Sequence, residues 1–191
     1  MTRIRSYALP IALLALAVQA VSARIDVKVD FDKSFNFTAV RTWGWHADGA
    51  GEVKMARTQT DNPEGMNKVA APLIIDAVTI EMTRLKLQPA TADPDLAVHY
   101  FLLLTTNMST QSMGQFLDGT VAWGLPLFPQ ATTSLKVLNQ GSLVLDLSAK
   151  GRVVWRGVAQ AQLKPDTDLK KREALLRESV RDLLKRYPPK P

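Results

Sequence analysis

The sequence predicts an α+β fold: a single domain in which a mixed, largely antiparallel sheet of about five strands has two long helices on one face. Three observations lead to this class. Several segments alternate apolar and polar residues over strand lengths, two segments repeat apolar residues at helical spacing, and residues 141–157 have the pattern of a β-hairpin. The predicted strands are Ile25–Phe31, Arg41–His46, Leu96–Thr106, Leu143–Ser148 and Arg152–Ala161, and the predicted helices are Ala71–Lys86 and Asp168–Arg186.

The hairpin is the clearest local signal. Two apolar runs flank a short turn containing Gly151, which suits the left-handed position that closes a three-residue loop. Pairing Ser148 with Arg152 then places Leu145 beside Trp155 on one face of the sheet. We therefore expect the tryptophan to be the largest side chain of the core.

The same hairpin register predicts a charged pair on the opposite face. Asp146 and Arg156 lie diagonally across the two strands there, close enough for an ion pair. The first strand, 25–31, alternates strictly and is expected to have one wet face. Residues 96–106 are apolar on both faces, which favours a central position in the sheet.

The helices and the loop before the first of them follow from caps and breakers. Pro72 suits the first turn of the first helix, and Asp168 can cap the last one. Ala47–Asn67 is polar and has no sustained period, so it is predicted to be a long loop, either irregular throughout or with a short turn of helix. Trp43 and Trp45 share one face of their strand and are expected in the core rather than in a ligand platform.

Composition excludes several classes of site. The chain has 191 residues, a formal charge of +6 and no cysteine. Disulfides, thiolate metal sites, a cysteine nucleophile and acylation of an N-terminal cysteine are therefore impossible. No basic run is interleaved with aromatic residues, so nucleic acid is not an expected partner.

The first 23 residues have the organisation of a signal peptide. Arg3 and Arg5 precede an apolar run, Tyr7–Val18, and small residues follow at Val21–Ala23. The run is shorter than the roughly 20 residues that cross a bilayer, which favours cleavage over a retained anchor. We expect a mature domain of residues 24–191 in the periplasm, with at most peripheral membrane contact.

Metal-binding and catalytic motifs are sparse. His46 lies near Asp48 and Glu52, but His99 is far away in sequence, and no set of three or four converging ligands is evident. No metal or cofactor is therefore expected.

The sequence also has no nucleophile elbow, phosphate loop or dinucleotide fingerprint. Asp93 and Asp95 could suggest a carboxylate pair, but both flank a proline and are better explained as turn residues. No catalytic residue is predicted, and we do not expect an enzyme. A hydrolase would need His46 or His99 within hydrogen-bond reach of a carboxylate or hydroxyl in a cleft.

The most informative surface candidate lies between residues 107 and 138. The window 121–129 is apolar but has neither helical nor strand spacing. If exposed, it forms a contact patch; otherwise it is a lid over its own core. The candidate interaction surface is formed by Phe116, Trp123, Leu125 and Phe128.

Four segments, in this order, resemble the DUF4136 family of bacterial envelope proteins, a domain of unknown function: Phe35–Trp45, Ala92–Tyr100, Gly141–Gly157 and Arg186–Pro189. The resemblance covers about residues 25–189 and implies an α+β fold and an envelope location, with no catalytic residues. Many members look like lipoproteins, whereas this chain lacks the required cysteine. The expected function is a non-enzymatic structural or interaction role with an envelope partner. The alternative is a module that binds a small apolar or lipid-like ligand.

Overall fold

The computed structural model describes residues 25–55, 62–104, 141–161 and 168–189. The predictions for the segment 107–138 and for residues 1–23 concern residues outside these ranges. The elements are β1 (Ile25–Phe31), β2 (Thr42–Trp45), β3 (Gly51–Met55), α1 (Pro63–Arg84), β4 (Gln88–Pro89), β5 (Leu96–Leu104), β6 (Gly141–Ala149), β7 (Arg152–Ala161) and α2 (Leu169–Leu184).

The described strands form one mixed sheet in the order β1-β7-β6-β5-β2-β4, and β3 continues beside β5. The pairs from β1 to β5 are antiparallel, whereas β5 pairs in parallel with β2 and β3, and β2 with β4. The predicted α+β class with two helices is confirmed. The sheet is mixed, as predicted, but it has seven described strands instead of about five and is less antiparallel than predicted, because the short parallel strands β3 and β4 flank α1.

The prediction of a long loop over Ala47–Asn67 is wrong in part. It contains β3, in which Val53 is buried while Glu52 is exposed. Five residues give too short an alternation to indicate a strand, because the sequence around them is polar. The same interval contains the start of α1.

Helix α1 begins eight residues before the predicted start at Ala71. Asn62 caps it by accepting a hydrogen bond from the backbone N–H of Gly65 at 2.8 Å, and Pro63 occupies the first turn. Pro72, which was assigned to that first turn, lies inside the helix and is exposed. A proline removes one intrahelical donor. An exposed position lets water satisfy the carbonyl left without it.

The hairpin exists as predicted, but its register differs. Lys150 and Gly151 both have positive φ, 50° and 74°, which defines a two-residue type I′ turn instead of a three-residue loop. Ala149 therefore pairs with Arg152, and an irregularity next to Ser148 shifts the register of the strands beyond it. As a result Trp155 lies opposite Leu147, not opposite Leu145.

Both helices pack on one face of the sheet and form the apolar core with it. Trp155 is fully buried there, as expected, and Trp43 is buried while Trp45 is partly buried against the same cluster. Asp168 caps α2 by accepting a hydrogen bond from the N–H of Lys171 at 2.9 Å. The predictions of α2 and of its cap are confirmed.

Candidate functional site

The face of the sheet turned away from both helices, called the second face below, contains most of the buried polar side chains. Alternation along the paired strands defines it. Its polar and apolar members are nearly all buried, which is unusual for a sheet face without a described helix on it. They are His99, Phe101, Leu103, Ser142, Val144, Asp146, Ser148, Arg156, Val158 and Gln160.

A buried ion pair lies at the centre of the second face. Asp146 and Arg156 are directly opposite each other in the β6–β7 ladder, and their side chains are 1% and 0% exposed. Arg156 Nε and Nη2 donate to the two carboxylate oxygens of Asp146, each at 2.6 Å. The predicted ion pair is confirmed, although it is directly cross-strand rather than diagonal. Burial raises the pKa of Asp146, and the hydrogen bonds and charge of Arg156 oppose that shift.

A large bulge in the parallel edge lies beside this pair. Trp45 is paired with Val98 and Gly51 with Tyr100, so residues 46–50 all stand opposite His99. Gly51 closes the bulge, where a Cβ would lie 2.3 Å from the carbonyl oxygen of Tyr100. Only glycine fits this close approach.

The bulge fixes the protonation of His99. Its Nδ1 lies 3.0 Å from the carbonyl oxygen of Gly49. Because a carbonyl only accepts, Nδ1 carries the proton and Nε2 is the basic nitrogen. Burial lowers the pKa of His99, the Gly49 carbonyl raises it, nearby His46 lowers it, and Asp146 and Glu52 raise it.

His46, which the sequence grouped with Asp48 and Glu52, lies on the bulge itself. Its Nδ1 accepts a hydrogen bond from the backbone N–H of Asp48 at 3.3 Å and is 3.5 Å from a carboxylate oxygen of the same residue. The rings of His46 and His99 are 5.5 Å apart in an edge-to-face arrangement. The structure thus brings together two histidines that are distant in sequence.

This histidine pair does not extend to a metal site within the described ranges. There, no group of three or more His, Asp or Glu side chains is placed to hold a metal ion. The Asp48 side chain is 87% exposed, and Lys54 holds Glu52 at 3.1 Å. The described part of the site offers one basic imidazole nitrogen, on His99, next to a neutralised carboxylate.

Asp93 and Asp95 lie in a turn, as predicted, and the carboxylate of Asp95 serves structure. Asp95 accepts hydrogen bonds from the backbone N–H groups of Arg41 and Thr42, both at 2.9 Å, and its own N–H donates to Thr42 Oγ1 at 2.9 Å. These contacts join the beginnings of β2 and β5. The backbone hydrogen bonds lower the pKa of Asp95, first that from Arg41.

The predicted interaction residues Phe116, Trp123, Leu125 and Phe128 lie outside the described residues. Sequence reasoning missed the bulge and most of the buried polar row of the second face, including Ser142 and Gln160. A bulge has no composition of its own, and a polar residue in a strand normally indicates the wet side. Among the described helices, none combines the length and apolarity required to cross a membrane.

Comparison with known proteins identifies the family. The family model described as a domain of unknown function, DUF4136, matches residues 27–189. The chain belongs to this family. The resemblance inferred from the four sequence segments is therefore confirmed. No curated protein matches the chain.

The chain is also similar to several solved structures. A DUF4136 family protein from Bacteroides thetaiotaomicron is 18% identical, with a TM-score of 0.56 over 86% of this chain and 96% of that one. A PDZ domain protein from Parabacteroides distasonis is 14% identical, with a TM-score of 0.49 over 89% of this chain and 38% of that one. A PelC dodecamer from Paraburkholderia phytofirmans is 8% identical, with a TM-score of 0.42 over 84% and 95%. At 18% identity, the similarity to the Bacteroides thetaiotaomicron structure shows the fold alone.

Proposed function

We propose that this DUF4136 protein is a non-enzymatic component of the bacterial envelope with a structural or interaction role. Residues 1–23 export it to the periplasm and are removed. Its contact surface is the segment containing Phe116, Trp123, Leu125 and Phe128.

The observation that carries the non-enzymatic proposal is that these described polar groups make structural contacts within the fold. Asp146 is neutralised by Arg156, the Nδ1 proton of His99 is directed at the Gly49 carbonyl, and Asp95 is occupied by two backbone N–H groups. A general base or nucleophile needs a partner group and room for a substrate. Groups committed in this way support a scaffold role.

Export supplies the first test. The full chain is expressed in a bacterial host, the cells are fractionated, and the protein is weighed intact. We expect the periplasmic fraction to contain a chain that begins at Arg24. A membrane fraction holding a chain that retains residues 1–23 would contradict cleavage and make the protein a tethered one.

Contact is tested separately with a photoreactive amino acid. It is placed at Phe116, Trp123 or Phe128, and at the exposed Lys150 in the hairpin turn as a control. Irradiation in living cells should give a discrete adduct with one envelope component from the first three sites and not from the control. Equal labelling from all four positions would argue against this contact surface.

The alternative function is distinguished by native mass spectrometry. An interaction protein should have the mass of its polypeptide alone after gentle purification. A module for an apolar or lipid-like ligand should have an added mass of a few hundred daltons that organic solvent removes. That added mass would replace the interaction proposal with a carrier function.

A further inference from the structure

Strand β1 forms one edge of the sheet. Seven consecutive residues, Ile25–Phe31, pair with β7 without interruption, and within the described ranges no strand lies on the other side of β1. A regular edge strand of this length offers a row of backbone donors and acceptors to another chain.

The register shows which backbone groups face outward. The N–H of Asp32 donates to the carbonyl of Val154 at 2.8 Å, directly beyond the Phe31–Trp155 pair. Hydrogen-bonded and non-hydrogen-bonded pairs alternate in an antiparallel ladder. The even-numbered residues of β1 therefore bond to β7, and the odd-numbered residues direct their N–H and C=O groups to the free edge. These are Ile25, Val27, Val29 and Phe31.

The side chains beside this edge are accessible. Asp26 and Lys28 project on the second face, with side chains 60% and 42% exposed and a long contact of 3.9 Å between them. On the helix side, Ile25, Val27 and Val29 are only partly buried against the core. A strand docked here would cover apolar side chains on one face and meet charges on the other.

The charge pattern is self-complementary in one antiparallel register. If two copies of β1 pair about a two-fold axis at Val27, Asp26 of each copy lies opposite Lys28 of the other, and Ile25 lies opposite Val29. Val27 then forms a hydrogen-bonded pair with Val27 of the other copy, because its backbone N–H and C=O groups point to the free edge.

The neighbouring registers are less favourable. An axis at Lys28 places Lys28 opposite Lys28 of the other copy and Asp26 opposite Asp30, so every charged pair within the two β1 strands is repulsive. An axis at Val29 pairs Lys28 with Asp30, but it also brings Asp26 against Asp32, whose carboxylate already accepts hydrogen bonds from Ser34. The register about Val27 has only attractive charged pairs among residues 25–29.

We propose that β1 mediates a symmetric association with a second copy of this chain, in which β1 pairs antiparallel with β1 about Val27 and the two sheets become continuous. Strand pairing alone buries less than the roughly 1,600 Å² of a standard stable interface. The association is therefore concentration-dependent. It uses residues other than Phe116–Phe128 and does not depend on the proposed envelope partner.

A charge-swap experiment tests this proposal on the protein purified without its leader. Asp26→Lys gives a strand with two lysines, and Lys28→Asp gives one with two aspartates. Sedimentation velocity over a concentration series should show a monomer–dimer equilibrium for the wild type and at least a tenfold weaker association for each single variant. An equimolar mixture of the two variants should form heterodimers, because both cross-strand pairs are attractive again. The combined variant D26K/K28D should form homodimers.

Matched thermal melts show whether each variant is folded. Heterodimers in the mixture would show that a single variant fails to dimerise because of charge repulsion and not because it is misfolded. A wild type that stays monomeric at millimolar concentration would overturn the proposal. So would single variants that dimerise as well as the wild type, or a mixture that remains monomeric. None of these outcomes bears on the photocrosslinking result, which reports on a different segment.

Discussion

Arg156 is the clearest case in which a single residue determines the structure of the second face. Its guanidinium is fully buried and bonds to both oxygens of Asp146. Removing two charges from water costs several kcal/mol per ion, and the bidentate contact repays that cost only while both partners are present. The pair therefore contributes more to the specificity of strand register than to net stability.

Removing one partner of this pair should be far worse than removing both. We expect Asp146→Leu or Arg156→Met alone to lower the free energy of unfolding by about 3–5 kcal/mol, because each leaves an uncompensated buried charge. The double variant should recover most of that loss. Urea denaturation of the four proteins gives the coupling energy. Additive losses would mean that the two side chains are stabilised separately.

Tyr187 illustrates a second residue-scale effect. It packs edge-to-face with Phe37 and Trp155, and within the described structure its buried hydroxyl has no hydrogen-bond partner. Burial raises its pKa to about 12, and the nearby charge of Asp95 adds to the shift. The ring, not the hydroxyl, is what the core uses.

Two substitutions separate the ring from the hydroxyl. Tyr187→Phe should change the free energy of unfolding by less than about 1 kcal/mol, since it deletes a polar atom that makes no bond. Tyr187→Ala should cost about 3–5 kcal/mol through the cavity it leaves. Denaturant titration measures both. If the phenylalanine variant were destabilised as much as the alanine variant, the hydroxyl would have a partner such as a bound water.

At the scale of elements, the Asp93–Asp95 turn connects β2 with β5 through a side chain. Asp95→Asn removes the charge that the backbone N–H groups of Arg41 and Thr42 contact at the start of β2. Asp93→Asn removes the same charge from an exposed position with a φ of 44° that asparagine tolerates. We expect only the first variant to lower the urea midpoint at neutral pH.

The pH dependence of this difference has a definite sign. The folded pKa of Asp95 is lowered by its hydrogen bonds, so its stabilisation is present above the ordinary value of about 3.9 and is lost as pH falls through the folded pKa. The gap between wild type and Asp95→Asn should therefore close in acid. A gap that does not narrow at any pH below the ordinary value of about 3.9 would mean that the charge is not what β2 requires.

Elements with a long periodic pattern were predictable from sequence, and those defined by backbone pairing were not. The alternation of β1 and the apolar stripe of α2 identify them directly. Gly151 indicates a turn, but the length of that turn depends on Lys150 also adopting positive φ, which lysine rarely does. The two-residue turn pairs Ala149 with Arg152, and the irregularity beside Ser148 then places Trp155 opposite Leu147.

The bulge shows a second limit of the same kind. Residues 46–50 are small and polar, so their sequence is that of any loop. Their proximity to His99 arises because β2 and β3 both pair with β5, and this depends on contacts about fifty residues away in sequence. The sequence shows only that His46 lies near Asp48 and Glu52, whereas the contact of His46 with His99 could not be found from it.

For the molecule as a whole, the two faces of the sheet respond differently to acid. The helix face is apolar, whereas the second face holds His99 beside Asp146, with His46 and Glu52 on the neighbouring bulge and strand. Lowered carboxylate pKa values at Asp32, Asp95 and Asp168 make the fold lose stability only in stronger acid. Raised pKa values at Asp30 and Asp146 oppose that loss.

The first loss of stability on acidification should thus come from His99. The pKa of His99 in the folded state lies below the unfolded value of about 6.5. The stability contributed by its neutral ring is therefore complete above that pH and is lost as pH falls through the folded pKa. Each unit of difference between the two values corresponds to about 1.4 kcal/mol. His99→Asn keeps a donor for the Gly49 carbonyl but cannot titrate. Urea melts between pH 8 and 4.5 should show a fall for the wild type that is smaller in this variant. Identical pH slopes in the two proteins would locate the early acid response elsewhere in the chain.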